Sequence, residues 1–214
     1  MLLLLLAVFF LLAGGAGLGM TAAAAAKAVH LLCFATSWGV TVWAILVGGV
    51  IMFLYYTFSP CSFNVFPPNL PRHAMGRLRG KVFPACFALN AACTAASAAA
   101  FAWLHRPPWP PAERRQLAVL LVAAGYDLAN LLIFTPRTLE AMRERHKVER
   151  SLGIGGDGSF VGWRQNARAA RSSSTLAAEN ARFWVAHSFS AVALVISAAG
   201  LFSHFCYLSG KIVI

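Results

Sequence analysis

Asp127 is the residue whose position points most directly to chemistry, because it is the only acid within any predicted membrane span. An ionisable group inside a span is costly and marks a functional site by default. It stands eight residues from the predicted inner end of its span, roughly 12 Å deep at 1.5 Å per residue. Asn90 stands eight residues from the inner end of the preceding, antiparallel span. The two side chains can therefore share a depth, where the amide can hydrogen-bond the carboxyl.

Two interpretations of this intramembrane polar pair remain open. The carboxyl could be a proton or cation relay site, or a protonated acid that holds helices together. One acid without a second titratable partner makes a poor relay, which favours the second interpretation. Asn90, Thr94 and Ser97 lie at i, i+4 and i+7 in a stretch of small residues. That stripe indicates close helix packing, with a water-lined transport path as the alternative.

Histidines suggest a second possible chemistry, because a b-type haem needs axial ligands from both of its faces. The span order places His30 and His204 near the outer surface, and His73 and His187 near the inner surface. Histidines at span ends are more often interfacial hydrogen-bonding groups than haem ligands. The five cysteines show no C-x-x-C spacing, so they predict neither a metal site nor a disulfide framework. We expect no cofactor or metal, with haem or a bound pigment as the less favoured alternative.

The composition requires these residues to be positioned by membrane helices. Of the 214 residues, 59% are hydrophobic and 12% charged, and the mean hydropathy is +0.66. A soluble domain has about 45 to 50% apolar and about 25% charged residues. The net charge of +11 could suggest nucleic-acid binding, but so apolar a chain argues against a nucleic-acid partner. The bases are expected in loops that flank apolar spans.

Apolar runs predict an all-α, polytopic transmembrane bundle of four core spans plus an N-terminal apolar helix. Residues 1–26 carry no charge and are typical of a signal peptide or a retained signal anchor, and we favour the retained span. Residues 27–214 form the predicted four-span domain. Its spans are residues 28–58, 82–104, 117–135 and 183–208.

The distribution of bases predicts the orientation of this bundle. The loop 59–81 contains four bases and the loop 136–182 contains nine, which leaves five of the 18 for the other side. The basic loops should therefore face the cytosol, or the matrix or stroma of an organelle. Beyond Pro136 the mixed charges predict a solvated helical extension that ends at Gly153. The following GIGGDG stretch lacks the context of a phosphate-binding loop and predicts a flexible turn.

Several segments resemble a known family. They are KAVHLLCFATSWGVTVWAILVGGVIMF at 27–53, LPRHAMGRLRGKVFP at 70–84, and PRTLEAM…VERSLGIGG at 136–156. Together with the start of the last span at 183–187, they are similar to the transmembrane protein 205-like family of four-span eukaryotic membrane proteins. The segments before Lys27 and from Phe58 to Asn69 are additions to that pattern.

The resemblance implies fold and membrane location more than mechanism. The matching positions, which do not include Asp127, are His30, Trp38, Gly39, Pro71, Arg72, His73, Phe83, Pro84, Asn130, Pro136, Arg137 and Thr138. Because these motifs flank the inner helix ends, Arg72, His73 and Arg137 are expected to cluster at the inner surface. Arginines there could satisfy helix carbonyls or bind lipid phosphates.

For function, we expect a non-catalytic membrane protein that acts by association. Its partners would be membrane lipids and other membrane subunits, and it would be an accessory subunit of a respiratory or photosynthetic complex. A small proton-coupled transporter that uses Asp127 is one alternative. A redox anchor that binds haem between His30 and His204, or between His73 and His187, is another. An organellar inner membrane or the endomembrane system is the expected location.

Overall fold

The computed structural model describes residues 21–51, 72–154 and 163–211, and within these ranges the chain is helical without a strand. Most of the predicted N-terminal helix, the 58–69 addition and most of the GIGGDG turn lie outside them. The helices are α1 (Ala22–Trp43, continued by π-helical turns over Ala44–Ile51), α2 (Arg72–Leu104), α3 (Pro111–Ala129), α4 (Thr135–Ser151), α5 (Trp163–Ser172) and α6 (Ser174–Ser209).

Four of the described helical stretches are long and apolar enough to cross a membrane. They are Ala22–Val50, Gly76–Leu104, Pro111–Ser151 and Ser174–Ser209. They correspond to the four core spans predicted from the sequence, but three of the helices begin or end well beyond the predicted limits. The apolar run marks where a helix enters the membrane, whereas polar residues such as those of TPRTLEAMRERHK continue the helix outside it.

Pro136 does not interrupt the third span. A π-helical segment, Asn130–Phe134, joins α3 to α4, and Pro136 occupies the first turn after it. Proline is tolerated in a first α-helical turn, and the preceding π-helical segment keeps the chain helical across it. Single π-helical turns within long helices often occur at functional sites.

The described residues form two compact units that divide the long helices between them. Unit 1 consists of the described residues within Met1–Val42, Phe87–Leu128 and Leu194–Ile214. Unit 2 consists of the described residues within Trp43–Cys86 and Ala129–Ala193. The apolar core of unit 1 consists of Phe34, Ala98, Phe101, Leu117, Leu120, Ala123 and Leu201. Small residues allow close approach here: a Cβ on Gly200 would lie 3.3 Å from the Ala123 Cβ.

Unit 2 has fewer large apolar side chains in its interior and more charged ones. Leu176, Ala141 and Ala193 are fully buried, but so is Glu149, and Arg145 is 8% exposed. Large apolar side chains instead cover the outside of the helices, with Leu132 63% and Trp184 61% exposed. Such an apolar exterior around a polar interior is expected for a protein whose surrounding solvent is lipid.

Candidate functional site

Two histidines from different helices contact each other inside unit 1. The Nε2 atoms of His30 in α1 and His204 in α6 are 3.2 Å apart, and the rings are nearly perpendicular. The Nδ1 of His30 lies 3.0 Å from the backbone oxygen of Ser97, and the Nδ1 of His204 lies 3.1 Å from Gln116 Oε1. All four residues are almost fully buried. We call His30 and His204 the histidine pair.

The proton count of the histidine pair follows from its acceptors. A backbone carbonyl can only accept, so His30 Nδ1 must carry a proton when it bonds to the Ser97 carbonyl, and the Ser97 hydroxyl lies 2.9 Å from the same nitrogen. In a neutral His30 the Nε2 is then an acceptor, and His204 Nε2 donates to it. If Gln116 presents Oε1, His204 Nδ1 must also donate, and the pair holds one proton more than two neutral rings. A half-turn of the Gln116 amide presents N–H instead and suits the neutral pair.

A chain of hydroxyl and amide groups leads to Asp127 in the same unit. Thr94 Oγ1 lies 3.1 Å from Asp127 Oδ2 and 2.6 Å from Ser37 Oγ. Ser37 Oγ lies 2.6 Å from Asn90 Oδ1, and Asn90 Nδ2 donates to Thr41 Oγ1 at 3.1 Å. None of these five side chains is more than 1% exposed. We call them the hydroxyl chain.

The hydroxyl chain has two consistent proton arrangements, because each hydroxyl has one proton to donate. If Ser37 donates to Asn90, Thr94 must donate to Ser37, and a protonated Asp127 donates to Thr94. If Asp127 is ionised, Thr94 donates to it, Ser37 donates to Thr94, and the Asn90 amide turns its N–H toward Ser37. The same heavy atoms therefore accommodate both charge states of the carboxyl.

Helical spacing brings these groups together. His30, Ser37 and Thr41 follow one face of α1, and Asn90, Thr94 and Ser97 follow one face of α2. Thr94 and Ser97 are three residues apart, so about 4.5 Å along the helix separates the hydroxyl chain from the histidine pair. An open cleft of about 450 Å³ lined by Arg115, Gln116 and Tyr207 among others reaches the Gln116 end of the pair.

Unit 2 contains a polar centre of a different kind, which we call the charged cluster: His73, Arg145, His146, Glu149 and Asn166. His73 Nε2 lies 2.8 Å from Glu149 Oε2, and Asn166 Nδ2 donates to Glu149 Oε1 at 2.7 Å. Arg145 Nε lies 3.9 Å from Glu149 Oε1. The His73 and His146 ring centroids are 4.2 Å apart. All five residues are buried.

The backbone around the charged cluster determines its geometry. A Cβ on Gly76 would lie 2.7 Å from His146 Cε1, so only glycine lets α2 and this ring approach so closely. At the end of α4, Gly153 has a φ of +69°, and Ile154 N–H donates to the Glu149 carbonyl. This arrangement is a Schellman cap. It confirms the predicted helix end at Gly153.

The structure pairs the predicted site residues only in part. Asp127 and Asn90 both belong to the hydroxyl chain, in which Ser37 and Thr94 connect them. His30 and His204 also meet, but their rings are in direct hydrogen-bonding contact and leave no gap for a planar haem. The alternative haem pair does not meet in this way, because His73 binds Glu149, whereas His187 is exposed and stacks on Phe183.

The predicted cluster of Arg72, His73 and Arg137 stays a prediction, although the described contacts pair His73 with a different residue. Antiparallel packing pairs His73 with Glu149, which is twelve residues or about 18 Å along the helix from Arg137. Arg137 is exposed, and the side chain of Arg72 lies outside the described residues. The α4 extension is likewise not wholly solvated, because one of its faces buries Arg145, His146 and Glu149.

Sequence reasoning missed several members of both centres. His146 and Glu149 have the i, i+3 spacing of two ligands on one helical face, which could have identified them. Ser37 and Thr41 share a stripe with His30 and could have been found in the same way. Gln116 and Asn166 carry no local signal, since only tertiary packing brings them to their partners.

Four apolar helical spans that enclose polar centres define an integral, multi-pass membrane protein. Comparison with known families gives a more specific assignment. The chain belongs to the DUF4149 family, a domain of unknown function, whose model matches residues 32–147. No solved structure matches the chain.

Proposed function

We propose that the protein moves protons within the membrane as a small proton-coupled transporter, with Asp127 and the histidine pair as its two proton-binding centres. The single observation that carries the proposal is that the hydroxyl chain can form a complete set of hydrogen bonds with Asp127 either protonated or ionised. The change between the two states needs only a rotation of the Asn90 amide. A group that only holds helices together needs one stable arrangement.

The histidine pair supplies what a relay based on Asp127 alone would lack. It is a second titratable centre in the same unit, and the rotation of Gln116 lets it hold either two protons or three without losing a hydrogen bond. Gln116, which contacts His204, also lines an open cleft through which a proton would reach that centre. One water molecule between Ser97 and Thr94 would join the two centres, since a water-mediated bond replaces a direct one at little cost.

Proton movement is measurable in vesicles that contain the purified protein and a trapped pH-sensitive dye. An imposed potassium diffusion potential should drive proton entry in the wild-type protein. Asp127→Asn keeps the shape and removes titration, so entry should fall to the rate of protein-free vesicles. His204→Gln should do the same, because it interrupts the histidine pair.

His187→Gln is the matched control, since this histidine is exposed and lies in unit 2. It should conduct like the wild-type protein. Wild-type vesicles that acidify no faster than empty ones would contradict the proposal, and so would full proton entry in Asp127→Asn.

A second candidate is association with other membrane subunits, as an accessory component of a respiratory or photosynthetic complex. The observation that favours it is a continuous apolar face on α6, where Trp184, Val185, Phe189 and Val192 are 56 to 61% exposed. Large aromatic side chains are enriched at contacts between proteins. Migration of the native solubilised protein at its own mass of 22.9 kDa plus detergent would contradict this candidate.

For orientation, we infer from the base count that the side with Ser172 faces the cytosol, matrix or stroma, and that the membrane belongs to an organelle or the endomembrane system. The resemblance of its sequence motifs further supports a relationship to the transmembrane protein 205-like family. Single cysteines at Ser172 and Arg114, in a chain without its native cysteines, test the orientation. Labelling of both from one side by a membrane-impermeant maleimide would contradict it.

A further inference from the structure

We propose that His73, His146 and Glu149 of unit 2 bind a divalent transition metal, with Zn²⁺ as the favoured ion. Each of the three side chains offers one ligand atom, and these atoms all lie within 4.8 Å of one another. All three residues are buried. Two imidazoles and a carboxylate are a common zinc ligand set, and three protein ligands leave the fourth tetrahedral position for water or another ligand.

The ligand carboxylate is already oriented by its neighbours. Glu149 Oε1 accepts the hydrogen bond from Asn166 Nδ2, and Asn166 Oδ1 accepts one from Asn180 Nδ2 at 2.8 Å. Outer hydrogen bonds of this kind hold a ligand in position and contribute to metal affinity. Glycine at position 76 admits the His146 ring beside α2, which brings it within 4.2 Å of the His73 ring centroid.

The two carboxylate oxygens of Glu149 face different partners, so a metal ion at one oxygen would not share it with the nearby Arg145 side chain. Arg145 approaches Oε1, whereas His73 contacts Oε2. The Arg145 guanidinium also lies 3.9 Å from the centroid of the Phe183 ring, on which it is stacked. A metal ion bound by His73 Nε2 and Glu149 Oε2 takes the position of the hydrogen that joins these two atoms. The neutral tautomer of His73 that carries its proton on Nδ1 makes Nε2 available as a ligand.

Titration of the purified full-length protein with Zn²⁺, after chelator treatment, tests the proposal. We expect one ion per chain, with a Kd of about 1 μM or tighter. Asn166→Ala removes only the outer hydrogen bond and should weaken binding about 10- to 100-fold. Glu149→Gln and His146→Gln remove ligands and should weaken it further. Glu144→Gln, on the same helix but paired with Lys147 at the surface, should bind like the wild type.

Two measurements on the wild-type protein keep the test decisive if the ligand variants do not fold. Calorimetry should give a stoichiometry of one Zn²⁺ ion per chain. Co²⁺ should give the visible spectrum of a nitrogen and oxygen site. Absence of binding, a stoichiometry other than one ion per chain, unchanged affinity in Asn166→Ala, or a thiolate charge-transfer band from the cysteines would each overturn the proposal.

Discussion

The two units of this membrane protein solve the problem of buried polar groups in different ways. Unit 1 surrounds the carboxyl of Asp127 with hydroxyl and amide groups and places two imidazoles close by, and the contacts among the hydroxyls and between the two imidazoles can reverse their donor and acceptor roles. Unit 2 surrounds Glu149 with His73, Arg145 and Asn166, of which the arginine and the amide nitrogen can only donate. Reversible hydrogen bonds suit proton movement, whereas one-way donors around a carboxylate suit a fixed charge.

This difference has an energetic consequence. Removal of one member of a reversible hydrogen-bonded chain leaves its neighbours able to find other arrangements, and interhelical hydrogen bonds in membranes contribute about 0.6 kcal/mol on average. Removal of a buried charged group leaves its partners with uncompensated charge, which costs about 3 to 5 kcal/mol. Unit 2 should therefore be the more sensitive of the two to single substitutions.

The largest expected effect is that of Glu149→Ala. The substitution removes the ion pair with Arg145 and the hydrogen-bond acceptor of Asn166, both buried, and should lower the free energy of unfolding by about 3 to 5 kcal/mol. Titration of the solubilised protein with a denaturing detergent measures this. Glu140→Ala is the control, since its pair with Arg182 is exposed and should contribute about 0 to 1 kcal/mol. Equal losses in the two variants would remove the distinction between the charged cluster and an ordinary surface pair.

Gly76→Ala should have the next largest effect. Its Cβ would lie 2.7 Å from the His146 ring, and such overpacking should cost about 1 to 3 kcal/mol. Gly125→Ala in unit 1 is the matched control, because nothing lies within 4 Å of its Cβ. There alanine should raise the stability by about 0.5 to 1 kcal/mol, since it restricts the unfolded chain. The same denaturation assay compares them, and opposite signs are the expected result.

The sequence predicted the fold better than the sites, for physical reasons that particular residues illustrate. Hydropathy marks four spans because each must be apolar over the membrane thickness, and an intramembrane carboxyl such as Asp127 is conspicuous there. Glu149 has no such contrast, because it follows a stretch rich in charges and looks like a solvated residue. Its burial depends on the register of α2 against α4, which the close contact at Gly76 makes possible. Side-chain partners across helices are not encoded by local spacing.

The smallest expected effects test whether the loss of stability on substitution depends on the charge of the buried group or on the unit in which it lies. Ser190 in unit 2 donates to Asn130 Oδ1 at 2.6 Å, an uncharged contact like those of the hydroxyl chain. Ser190→Ala should therefore cost only about 0.6 kcal/mol, and Ser37→Ala in unit 1, which loses its contacts with Asn90 and Thr94, about 1 kcal/mol. The same denaturation assay measures both losses of stability. A loss in Ser190→Ala as large as that in Glu149→Ala would show that unit 2 is fragile throughout, whereas a small loss assigns its sensitivity to the charged cluster alone.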